Sequence, residues 1–257
     1  MKIAYRVFDP TGNITVLVET PVPVEAQPDI AAQLMALEPA AEQVGFLASD
    51  GEADIALRMA GGEFCGNAAM CAAVCAAENA GTDAGTFAVR VSGADAPVKA
   101  SVALQPDGSL RCAVDMPRPE AIEARMLPGV GEVRVVRFPG ISHIVLEEPM
   151  PRPLAERNAR LWCSELGADA LGLLFLDRRT ERLTPLVYVP AAGTLFWESS
   201  CASGTAAVGA YLARDGSAVT ATLLQPGGEL TIAADETGAL RLTGTVRAGD
   251  HREIEIE

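Results

Sequence analysis

The chain repeats itself in sequence order, and this duplication constrains its fold more than any other feature. The opening strand and turn RVFDPTGNITVLVE (6–19) is echoed by VVRFPGISHIVLEE (135–148). Each copy continues into a stretch with apolar residues at three- and four-residue spacing, DIAAQLMALEPA (29–40) and LAERNARLWCSELGA (154–168), which predicts an amphipathic helix. Alternating strands follow, VGFLASDGEADIALRMA (44–60) and LGLLFLDRRTERLTPLVYVPAAGTLFW (171–197). Next comes a cysteine in a turn leading to a small-residue helix, GGEFCGNAAMCAAVCAAENAG (61–81) and ESSCASGTAAVGAYLARDG (198–216). Each copy closes on a hairpin, with Asp107-Gly108 and Thr237-Gly238 at the turns. A repeat carried through every element predicts two similar α/β domains. The expected domains are 1–117, carrying Cys65, and 118–257, carrying Cys201, with the last strand free to return to the first domain. The boundary is expected within 115–133, where three prolines and two glycines gather. Two cupped domains related by pseudo-symmetry would create a cleft, a common setting for a ligand site, with an equivalent cysteine on each side.

Composition narrows the function classes. With 257 residues, 49% of them hydrophobic, the chain can bury a sizeable core. A net charge of −14 argues against nucleic-acid and anionic-membrane partners. The N-terminal MKIAYRVFDP has no apolar segment of the signal-peptide kind. The most apolar run outside the strands, residues 68–77, is too short to cross a bilayer. The expected location is cytoplasmic. The expected partner is a small amino-acid substrate, with a homodimer as the one further association considered.

Six cysteines must then be explained without a disulfide framework. Cys71 and Cys75, one helical turn apart among alanines, read as packing residues, as do Cys112 in a strand and Cys163 in an amphipathic helix. Zinc is not expected: Cys65, Cys71 and Cys75 lack CxxC spacing, and neither histidine, His143 or His251, lies near them in sequence. Cys65 and Cys201 differ because they stand at equivalent places of the repeat, each just before a helix. Helix N-termini carry unpaired N–H groups and a partial positive charge. Such a terminus is expected to lower a thiol's pKa towards the thiolate and to hold a carboxylate. Abstraction of an α-proton places negative charge on the substrate carboxylate, which preorganised N–H donors stabilise. Inversion needs a base on either face of the carbon, and one cysteine per copy supplies two.

With these residues in view, the chain resembles the diaminopimelate epimerase family, along its whole length and in the same order. Cys65-Gly66-Asn67 followed by Cys71 is similar to that family's CGNGxRC motif, and Cys201-Ala202-Ser203-Gly204 to its second cysteine motif. Gly12-Asn13 stands where the family has GN, and Gly140-Ile141-Ser142-His143 where it has GNPH. The resemblance implies two pseudo-symmetric α/β domains, each a mostly antiparallel sheet wrapped around a central helix. It also implies two-cysteine chemistry without pyridoxal phosphate or any other cofactor. The only lysines, Lys2 and Lys99, have no context suited to a Schiff base.

The departures from that family bear on the substrate. Its GNPH asparagine falls on Ile141, a second asparagine falls on or beside Pro185, the CGNGxRC arginine is Met70, and the arginine beside its glutamate is missing next to Glu198. Without those donors a second zwitterionic head would be desolvated and unpaired. The WESSCxSGT turn is similar to the histidine racemases of this fold. The expectation is an isomerase, an amino-acid racemase with histidine its leading substrate. The alternatives are diaminopimelate or proline-type epimerisation on the same fold, a non-catalytic amino-acid-binding protein, or a thiol redox protein. Cys65 and Cys201 are the expected bases. Gly66, Asn67, Ser203, Gly204 and Thr205 are expected at the α-carboxylate through their backbone N–H groups. Asn13, Asn67 and Glu198 are candidates for the amino group and side chain. His143 either lines the cleft or caps a turn, and Trp197 either closes the pocket or packs in the core.

Overall fold

The structure, a computed structural model, describes residues 1–256. The chain divides into two compact units, 1–115 with 243–257 and 116–242. The first unit holds β1 (Lys2–Pro10), β2 (Thr15–Val18), α1 (Gln27–Leu37), β3 (Gln43–Ala48), β4 (Ile55–Met59), α2 (Gly66–Asn79), β5 (Ala84–Val91), β6 (Val98–Leu104) and β7 (Leu110–Met116). The second holds β8 (Ala121–Leu127), β9 (Gly131–Phe138), β10 (Ile141–Leu146), α3 (Arg152–Leu166), β11 (Leu171–Asp177), β12 (Arg182–Val189), β13 (Thr194–Trp197), α4 (Ala202–Leu212), β14 (Val219–Gln225) and β15 (Gly228–Ala234). The long β16 (Leu240–Glu255) starts in the second unit and ends in the first.

The strand pairings of the two units match in sense. In the first, β1–β2 is antiparallel, β2–β3 parallel, β3–β4 antiparallel, β4–β5 parallel, and β5–β6 and β6–β7 antiparallel. In the second, β9–β10 is antiparallel, β10–β11 parallel, β11–β12 antiparallel, β12–β14 parallel and β14–β15 antiparallel. The parallel partners β5 and β14 went unanticipated by the strand pattern, as did β8. The stretch expected to act as a loose boundary is a strand between prolines. Pro117 and Pro119 precede β8 and Pro128 follows it, so none removes a donor from its ladder with β9. Gly129 and Gly131, both at positive φ, make the turn between the two strands.

Each copy also sends its last strand into the other unit. β8 follows the first copy's hairpin and pairs antiparallel with β9. The tail of β16 follows the second copy's hairpin and pairs antiparallel with β1, Lys2 opposite Glu255 and Pro10 opposite Val246. Because β16 also neighbours β7, the first unit's strands close into a ring.

A central helix fills each sheet. α2 touches β1, β2, β4, β5 and β6, and α4 touches β9, β10, β11, β14 and β15. Residues 66–77 of α2 are buried without a break, and all but Asn67, Met70 and Val74 are Gly, Ala or Cys. A helix apolar all round belongs in a core, and one enclosed by strands must keep its side chains short. Arg6 of β1 anchors its far end, donating to Glu78 at 2.5 Å. The outer helices are amphipathic. Ile30, Ala31 and Leu34 of α1 pack on Val16, Val18, Val44 and Phe46. Ala155, Ala159 and Trp162 of α3 pack on Leu171, Leu173 and Leu186.

Residues 66–77 of α2 are buried, so a larger side chain there has to displace its neighbours. Ala72→Leu is therefore expected to cost about 1–3 kcal/mol by overpacking, read as a lower urea midpoint at unchanged m-value.

Candidate active site

The sequence places a cysteine at the mouth of each central helix, and the two mouths share one backbone geometry. Cys65 is the N-cap of α2 with φ −132° and ψ 112°, and its sulfur accepts the Ala68 N–H at 3.4 Å. Cys201 is the N-cap of α4 with φ −128° and ψ 108°, and its sulfur accepts the Gly204 N–H at 3.3 Å. Sulfur thus stands where Ser, Thr, Asp or Asn oxygens usually cap a helix.

The surroundings differ. In the first unit the Cys65 thiol donates to Gln43 Oε1 at 3.1 Å. The Gln43 amide is held in turn, its Nε2 donating to Asn13 Oδ1 at 2.5 Å and to Thr15 Oγ1 at 2.8 Å. Asn13, buried on the β1–β2 turn, passes its own amide N–H to Glu42 at 2.5 Å. Both ends of Asn13 are therefore engaged, and it reaches Cys65 only through Gln43. The loop entering Cys65 is tied down by Ser92, whose hydroxyl donates to the Glu63 carbonyl at 2.7 Å. Asn67, in the first turn of α2, is 2% exposed, and its Oδ1 has no partner among the described residues.

In the second unit the Cys201 sulfur lies 3.5 Å from Ser203 Oγ, which lies 3.1 Å from His143 Nε2. The Glu198 carboxylate is near enough to the thiol to act on its titration. His143 is fully buried on β10, edge-on to Phe138, with no partner for Nδ1 among the described residues. Its neighbour on β11 is Gly172, where any Cβ would run into the imidazole. Thr205 is spent inside its own turn. Its N–H and its hydroxyl both donate to the Cys201 carbonyl, at 2.9 and 2.6 Å. Trp197 packs away from this cluster, stacked on Phe175, covered by Arg152 and donating to Glu156 at 2.9 Å. Of the other cysteines, 71, 75, 112 and 163 are buried.

One expectation is reversed. The helix termini do not leave either thiol acidic. Burial pushes the Cys65 thiol up to about 12, with the Glu63 charge adding to it and the Ala68 N–H only partly offsetting it. Burial also raises Cys201 well above its ordinary value, and the Glu198 carboxylate raises it further. The N–H groups of one helical turn stabilise a thiolate by less than its removal from water costs. Burial likewise pushes His143 down to about 3, so its ring is neutral.

Two residues outside the cysteine motifs, Gln43 and Gln225, were not anticipated, and both belong to these clusters. Gln225 Oε1 accepts the Cys201 N–H at 2.9 Å. Gln43 opens a strand as a polar residue facing the inner helix, which was a readable signal; Gln225, at a strand end before Pro226, gave none.

Two α/β units, each carrying a cysteine at the N-terminus of an enclosed helix, make the fold of the diaminopimelate epimerase-like racemases and epimerases. A Pseudomonas aeruginosa protein described as a predicted epimerase superposes over 100% of both chains with a TM-score of 0.74 at 16% identity. Residues 2–248 match the family described as histidine racemase CntK N-terminal domain, and the chain belongs to that family. It is 29% identical over 246 residues to a histidine racemase of Staphylococcus aureus (strain Mu50), covering 90% of this chain and 88% of the relative. It is 30% identical over 234 residues to a histidine racemase of Fusobacterium nucleatum subsp. nucleatum, covering 87% and 85%. The protein is thus an isomerase of the amino-acid racemase class.

Two measurements follow from the burial of these groups. In the ligand-free protein, iodoacetamide labelling of Cys65 should climb about tenfold per pH unit from pH 7 to 10, since thiolate is the reactive form. A plateau near pH 8–9 would contradict a thiol held at about 12. His143 stays neutral in the folded chain down to about 3, while the unfolded chain takes up that proton near 6.5. Stability should therefore be intact above pH 6.5 and fall as pH drops from 6.5 towards 3, more shallowly in His143→Gln. Thermal melts across that window check the slope.

Proposed function

We propose that the chain interconverts L- and D-histidine by direct proton transfer, with Cys65 and Cys201 as the two bases. The observation that carries this is the matched pair of helix-capping cysteines, one from each copy of the repeat. The names of the related racemases support histidine as the substrate.

In one direction the Cys201 thiolate takes the α-proton, and the Cys65 thiol delivers its proton to the opposite face of the carbon. The enzyme is left with Cys201 as thiol and Cys65 as thiolate, the state that begins the reverse reaction. Negative charge that develops on the substrate carboxylate is met by helix N-terminal N–H groups, which we assign to Gly66 and Asn67 of α2 and Ser203 and Gly204 of α4. The Gly204 N–H now points at the Cys201 sulfur and would be shared with the carboxylate. The unpartnered Asn67 Oδ1 is an acceptor suited to the α-ammonium. Glu198, whose carboxylate acts on the Cys201 thiol, is assigned to hold its proton when the thiolate forms. Because both thiols rest protonated, the thiolate is made on demand, with substrate bound and water displaced. Asn13 serves by fixing Gln43, and Thr205 by fixing its own turn, so neither is assigned to the substrate.

Incubation with single amino acids in D2O, followed by chiral separation, tests the reading. Histidine is expected to gain α-deuterium together with its D-enantiomer. Cys65→Ala and Cys201→Ala should each lose racemisation by about 10²–10⁴-fold or more, the usual worth of a proton-transfer group. Exchange confined to proline or diaminopimelate would overturn the substrate, and full activity in either alanine variant would overturn the two-base mechanism.

A further inference from the structure

Gln225 ends β14, 3% exposed and beyond the cysteine motif it serves. Its Oε1 accepts the Cys201 N–H at 2.9 Å, and its Nε2 donates to Thr205 Oγ1 at 2.8 Å. Thr205 Oγ1 in turn donates to the Cys201 carbonyl at 2.6 Å. One amide therefore grips both ends of a single residue, the N–H directly and the C=O through one hydroxyl. All of these bonds lie out of water, with Thr205 at 0% exposure. We infer that Gln225 is a positioning residue for Cys201, holding the backbone from which its sulfur projects. The inference rests on the reading of Cys201 as a base.

The arrangement suits a side chain that must give and accept a proton. The Cys65 sulfur is itself tied to a neighbour, Gln43. At Cys201 the clamp holds only the main chain, and the sulfur is left among Ser203, Glu198 and the Gly204 N–H. The sulfur can exchange those partners without its Cα shifting. Glutamine fits because it carries an acceptor and a donor on one end. A hydrocarbon at 225 would leave the Cys201 N–H and the Thr205 oxygen buried without their partner. The cysteine could then drift by a fraction of an ångström, and proton transfer is sensitive to displacements of that size.

The test compares Gln225→Leu, Thr205→Val and the double variant with the parent. Gln225→Leu is expected to lower kcat by about 10–100-fold with KM changed by less than about threefold, the mark of a lost transition-state arrangement. Iodoacetamide labelling followed by peptide mass spectrometry should show an altered pH profile at Cys201 and an unchanged one at Cys65. The double variant should be no slower than the worse single variant, because both break one clamp. The inference is overturned if folded Gln225→Leu keeps its kcat, if both cysteines change reactivity alike, or if the two losses multiply. Should Gln225→Leu fail to fold, Gln225→Met and Thr205→Val carry the same readouts. Cys201→Ala is the control: racemisation that survives it defeats the two-base reading, while the labelling comparison still decides the clamp.

Discussion

A helix enclosed by strands must be made of small residues, and its first turn still has N–H groups that the helix cannot satisfy. These two constraints shape most of the molecule. Residues 66–77 are buried without a break, so this stretch carries no polar face and, apart from Asn67, Met70 and Val74, only Gly, Ala and Cys. Its N-terminus is then the one place where chemistry can be attached. A sulfur at that place accepts the Ala68 N–H, one of the donors the helix itself cannot satisfy. α4 repeats the solution with Cys201 and Gly204. Gly204 is needed there because a Cβ would press on both Leu174 and the Cys201 sulfur.

Much of this was legible in the sequence because the duplication multiplies each signal. The alanine-rich run after Cys65 announced a helix, and its weaker echo at Cys201 gained meaning from the same position in the repeat. The amphipathic stretches gave α1 and α3 to within a few residues. Other parts were illegible for identifiable reasons. β8 was obscured by Pro117, Pro119 and Pro128, which flank the strand and lie outside its ladder. β5 carried the alternation Phe87, Val89, Val91 but stood next to a longer helical signal. Gln225 could not be assigned to Cys201 because their contact spans 24 residues and depends on the β14 register. The acidity of the thiols was misjudged for a different reason. A helix terminus can be inferred from local sequence, whereas the depth of burial that overrides it comes from the whole sheet.

The two copies also show how a repeat diverges around a retained centre. In the parallel pairings, Thr15 lies opposite Gln43 in the first copy and His143 opposite Gly172 in the second. In one copy the bulk is on the second of the two strands, and Gln43 reaches the cysteine directly. In the other the bulk is on the first strand, Gly172 makes room, and His143 reaches the cysteine through Ser203. The backbone angles of the two cysteines differ by only a few degrees despite this. Duplication thus preserved the presentation of sulfur while its hydrogen-bonding neighbours were rebuilt separately.

The exchange of last strands has a consequence for how the chain acquires its structure. β1 precedes every other strand in sequence, yet one of its two ladder partners is the tail of β16, with Lys2 opposite Glu255. The first unit cannot close around α2 until β16 has been made. The second unit takes β8 from the middle of the chain and lies within one continuous segment, 116–242. It can therefore complete its sheet while the first remains open. Pairings of such long sequence separation form slowly, because loop closure must precede any reward. An open first unit would leave the apolar α2 and the β1 edge uncovered in the interval, which makes this the stage of biogenesis most exposed to aggregation.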